Sequence, residues 1–343
     1  MSDPEKLGGF KILKEAVLLS PAPFEPDRRL PVALFRTLAE HGINLPYVTC
    51  VLENTGEWQV NMAVDFKDAR TACKLLSKSH PIGPDQQSSA AILSIFPHRK
   101  KPAIAGALFE AFRREGIHPE AMAHSPSAIS AVLKEQHLLQ ASSSLFGPFA
   151  FGAYRTPADW KLAQKGKEKL CKEVIASYQE KHPKIYGLEY QDHQELLHIT
   201  LEPTNMSALG AAFQGVSHQG LDLTFLVAGR SLAEIHTMDL CLPLTKRGSN
   251  KENITRILDP LQIEAHDPVG TFSMNGPHFG DRYGIIRDLL IALETAGVNL
   301  MGLSCTIASI TGVVPSSHLA LTILAIQDCF HVPSIQRTER KYE

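Results

Sequence analysis

The sequence predicts an α+β protein made of four copies of one small unit, joined as two similar halves. Three observations carry this: an amphipathic helix that recurs four times, a glycine closing each copy, and a regular spacing between those glycines.

The four helical segments read LFRTLAEHGINL, LFEAFRREGIHP, AAFQGVSHQGLDL and LLIALETAGVNL, with their glycines at Gly42, Gly116, Gly220 and Gly297. Seven residues before each glycine stands a large apolar residue (Phe35, Phe109, Phe213, Leu290), and four before it another (Leu38, Phe112, Val216, Leu293). A spacing of three puts both on one helical face. The glycine falls where the helical pattern stops and an apolar extended run begins, as a left-handed C-cap requires. Strand-like runs precede the helices at residues 15–19, 91–96, 196–201 and 271–274, and others follow at 58–64 and 234–242. In the first unit Asp65 is placed to cap a helix over 66–76, and in the last Ser316 or Ser317 to cap one over 319–330. Each unit thus reads β-α-β-β-α with room for a closing strand, the split β-α-β (ferredoxin-like) plan, with helices on one face of an antiparallel sheet.

The glycines are 74 residues apart from Gly42 to Gly116 and 77 from Gly220 to Gly297, while the halves are offset by 178 (Gly42 to Gly220) and 181 (Gly116 to Gly297). A pair of units has been duplicated. The predicted division is units at 8–80, 88–153, 185–260 and 261–335, with a helical linker at 154–184. Thr156-Pro157 opens that linker as N-cap and first-turn residue. Its lysines (Lys161, Lys165, Lys167, Lys169, Lys172) alternate with Glu168, Glu173 and Glu180, the pattern of a solvated helix face. Residues 16–76 and 195–258 are expected to share one topology, and the exposed sheet edges to be covered by homodimerisation or by the halves closing on each other.

Composition narrows the function classes. The 343 residues are 44% hydrophobic and 20% charged, and Lys+Arg 34 against Asp+Glu 36 gives a net charge of -2. That provides no general positive field for nucleic acid. No apolar run reaches the roughly 20 residues that cross a bilayer, so a cytoplasmic protein is expected. Six scattered cysteines without a C-x-x-C pair read as reduced core residues. Cys50 and Cys305 have no motif-linked histidine, and His193 and His198, an odd number apart, point to opposite faces of a strand. Neither a catalytic nucleophile, a metal site nor a cofactor is predicted.

The apolar strand, loop, helix ending in A-E-x-G-I-N and Ser/Thr-rich strand resemble the ACT domain, most closely the paired ACT regulatory region of aspartate kinases. The family's loop after strand one, G-x-G-M-x-x-x-P-G-V, is matched in the fourth unit by Gly276, Phe279 and Gly284, and in the second only by Pro102. Its G-I-N-I-x-x-I-S-T-S strand is matched by Gly42-Ile43-Asn44-Leu45 leading to Thr49-Cys50, and by Gly297-Val298-Asn299-Leu300 leading to Ser304-Cys305-Thr306. The second and third units carry His118 and Asp222 in place of the asparagine. The resemblance implies amino-acid effectors held between two units, by the loop after strand one of one and the start of strand two of the other. No Lys-Phe-Gly-Gly nucleotide signature or phosphate-binding loop occurs, and about ninety residues per unit leave no space for a kinase domain. The expectation is regulation without its enzyme.

A free amino acid asks for backbone amides near its carboxylate and for Asp, Asn or carbonyl oxygens near its ammonium. The fourth unit's loop offers Asn275, Gly276, His278, Phe279, Asp281 and Gly284, with Asn299 at the adjacent strand mouth. Asp281 could equally cap the helix, and His278 could be solvated. In the first unit Asn44 and Asp27, in the proline-rich loop over 21–31, form a second candidate set. His98-Arg99-Lys100-Lys101 is an anion site or a solvated basic turn. The predicted function is a non-catalytic sensor that binds a small amino-acid-like effector and signals to a protein partner, with no direct role for nucleic acid or membrane. The alternatives are a divergent enzyme, aspartate-kinase-related or a hydrolase, and a repressor-type regulator.

Overall fold

The computed structural model describes residues 4–21, 30, 32–53, 56–77, 87–96, 100–164, 183–201, 208–230, 236–245, 250–257, 262–276, 279, 282–307 and 309–338. A short strand, β1 (Glu5–Leu7), precedes the first unit: β2 (Gly9–Leu19), α1 (Val32–Glu40), β3 (Tyr47–Leu52), β4 (Trp58–Asp65), α2 (Phe66–Leu76) and β5 (Gln87–Phe96). The second continues with α3 (Pro102–Arg114), β6 (Ala121–His124), β7 (Ile129–Lys134), α4 (Leu138–Ser144) and β8 (Phe149–Phe151), which pairs in parallel with β1. After α5 (Pro157–Gln164) come β9 (Gly187–Leu201), α6 (Leu209–His218), β10 (Phe225–Arg230), β11 (His236–Pro243), α7 (Lys251–Ile257) and β12 (Gln262–Asn275). The chain ends its regular structure with α8 (Ile285–Thr295), β13 (Gly302–Cys305), β14 (Ser309–Pro315), α9 (Leu319–Cys329) and β15 (Ile335–Arg337).

The two halves repeat one element order, β-α-β-β-α and then a strand that both closes one unit and opens the next. In the first half the strands lie β3-β4-β2-β5-β7-β6, and in the second β10-β11-β9-β12-β14-β13. Even an irregularity is duplicated. Glu15 and His193, offset by 178, both adopt left-handed φ (57° and 54°) where pairing along β2 and β9 is interrupted.

The repeated glycines do what their positions predict. Gly42, Gly116, Gly220 and Gly297 have φ between 65° and 70°, and in each copy the next residue donates back to the carbonyl four before the glycine. Ile43 bonds to Leu38, Ile117 to Phe112, Leu221 to Val216 and Val298 to Leu293. This turns every first helix straight into its strand. Asp65 caps α2 by accepting from the Lys67 amide. Thr156 and Asp159 form a reciprocal cap on α5, and Lys165, Lys167, Lys169 and Lys172 lie outside the described residues. One cap is corrected: α9 follows a 3-10 turn over Ser316–His318, its N-cap is His318, and Ser316 donates instead to Asp192 at 2.6 Å. The first strands also run longer than their apolar stretches, because ladder pairing continues beyond the buried part.

The halves close on each other. β3 pairs antiparallel with β13, β6 with β10, and β11 returns to β9, so the large sheet forms a ring with β15 attached outside it. Closure removes the open edges that would otherwise template association. The first and fourth units share one core under α1, α2, α8 and α9, and the second and third share another under α3 and α6. Strand faces turned away from the helices carry many small and hydroxyl residues. Ser94 bonds to Ser130 at 2.7 Å, Ser273 to Thr311 at 3.1 Å, and Ser127 to Ser309 of the other half at 3.0 Å.

Candidate functional site

Two seams arise from this closure: one joins the first and fourth units through β3, β13, α1 and α8, the other the second and third through β6, β10, α3 and α6. At the first seam Gly42 and Gly297 are related by an offset of 255 residues, and two grooves flank it. Groove A lies between the start of α1 (Leu30, Val32) and the far end of α8 with the entry to β13 (Leu290, Leu293, Glu294, Gly297, Val298, Asn299, Leu300). It encloses about 250 Å³. Groove B lies between the start of α8 (Phe279, Arg282, Tyr283, Gly284, Ile285, Arg287) and the far end of α1 with the entry to β3 (Phe35, Ala39, Ile43, Leu45), and holds about 10 Å³.

The walls of groove A suit a zwitterion. At the N-terminus of α1 the Val32 amide donates to the Leu30 carbonyl at 2.7 Å, and the amides after it lie at the positive end of the helix dipole. Facing them is the C-terminal end of α8, the negative end, with the exposed Glu294 carboxylate and the exposed Asn299 amide. Leu290, Leu293, Val298 and Leu300 supply an apolar floor and are themselves buried. The Asn299 backbone amide donates to Nδ1 of His318 at 3.1 Å, which fixes the strand entry from behind.

The sequence-predicted residues separate into two places. Phe279 and Gly284 line groove B, and Asn44 sits between its neighbours Ile43 and Leu45. Asn299 belongs to groove A, on the opposite side of the two-fold, so it does not share a site with the Gly276–Gly284 loop, with which it was grouped as a candidate of the fourth unit. The reason is that β3 and β13 run antiparallel across the seam, pairing each unit's first loop with the other unit's strand entry. Gly276 is buried with the Phe279 ring packed on it: a Cβ there would come within 3.0 Å. Asn275 ends β12, its side-chain oxygen buried, and its carbonyl accepts from the Tyr186 amide at 2.7 Å. His278, Asp281 and Asp27 lie outside the described residues. Glu294, Leu290, Leu30 and Val32 were missed. The offset of 255, which aligns Asn44 with Asn299, was the available signal.

Other candidates resolve into structure. Of the basic turn, Lys100 pairs with Glu189 at 3.0 Å and Lys101 with Glu5 at 3.4 Å; 98 and 99 lie outside the described residues. Cys50 and Cys305 are fully buried; burial pushes the Cys305 thiol up to about 12 and Cys50 further in the same direction, the opposite of an activated nucleophile. Among the described residues no group of three or more His, Cys, Asp and Glu is arranged to hold a metal.

One polar cluster had no sequence signal. His198 of β9 is buried between Asp239 of β11, whose Oδ1 is 2.5 Å from its Nδ1, and Glu53 of the first half, whose Oε2 is 3.3 Å from its Nε2. Burial opposes charging the imidazole, yet hydrogen bonds to the two carboxylates outweigh it and raise the His198 pKa to about 10. The imidazolium bridges the halves.

No family model matches this sequence, and no curated protein matches it. Solved structures do. The fold is similar to that of aspartate kinase from Synechocystis, with a TM-score of 0.72 at 14% identity over 96% of this chain and 57% of that one. The regulatory subunit of aspartate kinase from Thermus thermophilus in its ligand-free form is matched over 43% of this chain and 98% of that one, at 12% identity and a TM-score of 0.36. Aspartokinase III of E. coli, solved with aspartate and ADP, is matched over 45% and 35%, at 12% identity and a TM-score of 0.34. The chain is thus an α+β protein with a large sheet and an aspartate-kinase-like fold, spanning 57% of the length of the Synechocystis enzyme. No helix among the described residues is long and apolar enough to cross a membrane.

Proposed function

We propose that this chain is a non-catalytic regulatory protein with four ACT-type units, at 8–80, 88–153, 185–260 and 261–335 around a linker at 154–184, that binds a small amino-acid-like effector in groove A. The observation that carries the proposal is the cavity of about 250 Å³ whose opposite walls present a helix N-terminus and an acidic helix C-terminus. That volume lies just below the roughly 300 to 1,000 Å³ of pockets for drug-sized ligands, which suits a single amino acid. The effector's carboxylate is assigned to the first turn of α1, and its ammonium to Glu294 and the Asn299 side chain. This moves the site from the Gly276–Gly284 loop to the mouth formed by the first unit. Because groove A is built from both halves, a ligand there stabilises their closed arrangement and biases whatever partner reads it. The aspartate-kinase-like fold favours a catalytic domain of that kind as the recipient.

A thermal-shift screen of the proteinogenic amino acids tests this. A ligand at about 100 times its dissociation constant adds about 2.7 kcal/mol to stability. Asn299→Ala should weaken binding about tenfold to a hundredfold, the cost of about 1 to 3 kcal/mol for a lost polar partner. If no amino acid shifts the wild type, the sensing role is abandoned.

A further inference from the structure

We propose that the seam binds one ligand per chain, in groove A alone, because its two-fold copy, groove B, is closed by Phe279 and Tyr283 of its own wall. This rests on the effector-binding role proposed above and assigns that site its stoichiometry and its ligand-selecting acid.

The two grooves are the same construction offset by 255 residues. Leu290, Glu294, Val298 and Leu300 of groove A correspond to Phe35, Ala39, Ile43 and Leu45 of groove B, and Val32 corresponds to Arg287. The backbone at the two helix ends is the same as well. The Gly42 amide donates to the Ala39 carbonyl and the Gly297 amide to the Glu294 carbonyl, both at 3.0 Å. Among the described residues what differs is the filling; 24 and 28, the counterparts of Phe279 and Tyr283, lie outside them. In groove B the Phe279 ring is only 3% exposed and lies against Gly276, while the Tyr283 ring covers Gly42, 4.0 Å from where a Cβ would stand. Ala39 is consequently buried at 5% exposure, whereas Glu294 is exposed to the larger groove. About 10 Å³ has room for roughly one water molecule and not for an amino acid.

Charge points the same way. The acid at position 294 has an alanine as its counterpart, and groove B adds Arg282 and Arg287 to its wall. A ligand ammonium therefore finds an anionic partner in groove A and none among the described residues that line groove B. Glu294 becomes the residue that selects a ligand with a positively charged group.

The matched helix ends allow a test that needs no knowledge of the ligand. Glu294→Cys and Ala39→Cys are introduced separately into the full chain and alkylated with iodoacetamide, the modified peptide being followed by mass spectrometry. Both thiols sit at the same place before a glycine cap, so reactivity reports access. The Glu294→Cys thiol should react at least about tenfold faster, and adding Tyr283→Ala should accelerate Ala39→Cys several-fold without changing Glu294→Cys. Equal rates for the two single variants would overturn the proposal. Calorimetry with any amino acid that shifts the wild type should give one site per chain, abolished by Glu294→Gln. Two sites, or binding indifferent to Glu294→Gln, would overturn it too. An absence of any binding amino acid defeats the effector role, while the labelling rates still decide whether groove B is closed.

Discussion

The two seams share a topology and differ in one dimension, the distance between their helices. At the seam of the second and third units, α3 and α6 cross at Gly106 and Gly210, so closely that a Cβ on Gly106 would lie 2.8 Å from the Gly210 carbonyl oxygen. Phe109 and Phe213 stack there at 5.6 Å with an interplanar angle of 3°, and a cavity beside Phe109, lined also by Met122, Ala228 and Met238, holds about 10 Å³. At the other seam Leu290 replaces the phenylalanine of its partner helix, no glycine crossing draws α1 onto α8, and groove A remains. Of the two seams, one is thus packed as a clasp and the other keeps a cavity of about 250 Å³. Glycines and aromatic residues at a few positions decide between clasp and pocket.

Both seams hang on a common interior, so the largest effect is expected where the halves are bridged. His198→Ala leaves Asp239 and Glu53 facing each other without a cation. Breaking a buried pair in this way should cost about 3 to 5 kcal/mol in urea unfolding. The same bridge makes a pH signature. The folded pKa of His198, about 10, lies above the ordinary value of about 6.5, so its contribution is fully present below about 6.5 and is lost as pH rises through 10. Unfolding free energy should therefore fall between pH 7 and 10, and His198→Gln should flatten that decline. A decline of equal size in the variant would assign it to other groups.

The clasp can be strained directly. Gly106→Leu forces a side chain against the backbone of α6 and should destabilise by about 1 to 3 kcal/mol, whereas Leu290→Phe at the open seam should cost less than about 1.5 kcal/mol, since groove A has space to take it. Equal costs would mean that the two seams are packed alike. Smaller still is the effect of the caps. Gly220→Ala and Gly297→Ala, both at left-handed φ with nothing within 4 Å of the new methyl, should each lose about 1 kcal/mol, measured by thermal unfolding.

Much of this architecture was legible in the sequence because it is local. The four glycine caps, the Asp65 cap and the helix of residues 66–76 follow from short-range rules, and the offset of 178 read from the glycines also relates Glu15 to His193. The seams were not legible, since which edge of one half meets which edge of the other is decided by closure of the ring and not by any neighbouring residues. That is why Asn299 and Gly284, adjacent in motif logic, ended on opposite sides of the two-fold. Glu294 belongs to no motif, and the cap expected at Ser316 or Ser317 gave way to a 3-10 turn that directs the Ser316 hydroxyl to Asp192.

Filling groove A tests its proposed role as the effector site most directly. Asn299→Trp places an indole at the strand entry, where it should occupy much of the about 250 Å³ while changing unliganded stability by less than about 0.5 kcal/mol, as surface substitutions usually do. Calorimetric titration with the amino acid that most stabilises the wild type should give one site per chain in the wild type and no detectable heat of binding in Asn299→Trp. Binding of equal affinity in both proteins would contradict the account and place the ligand elsewhere.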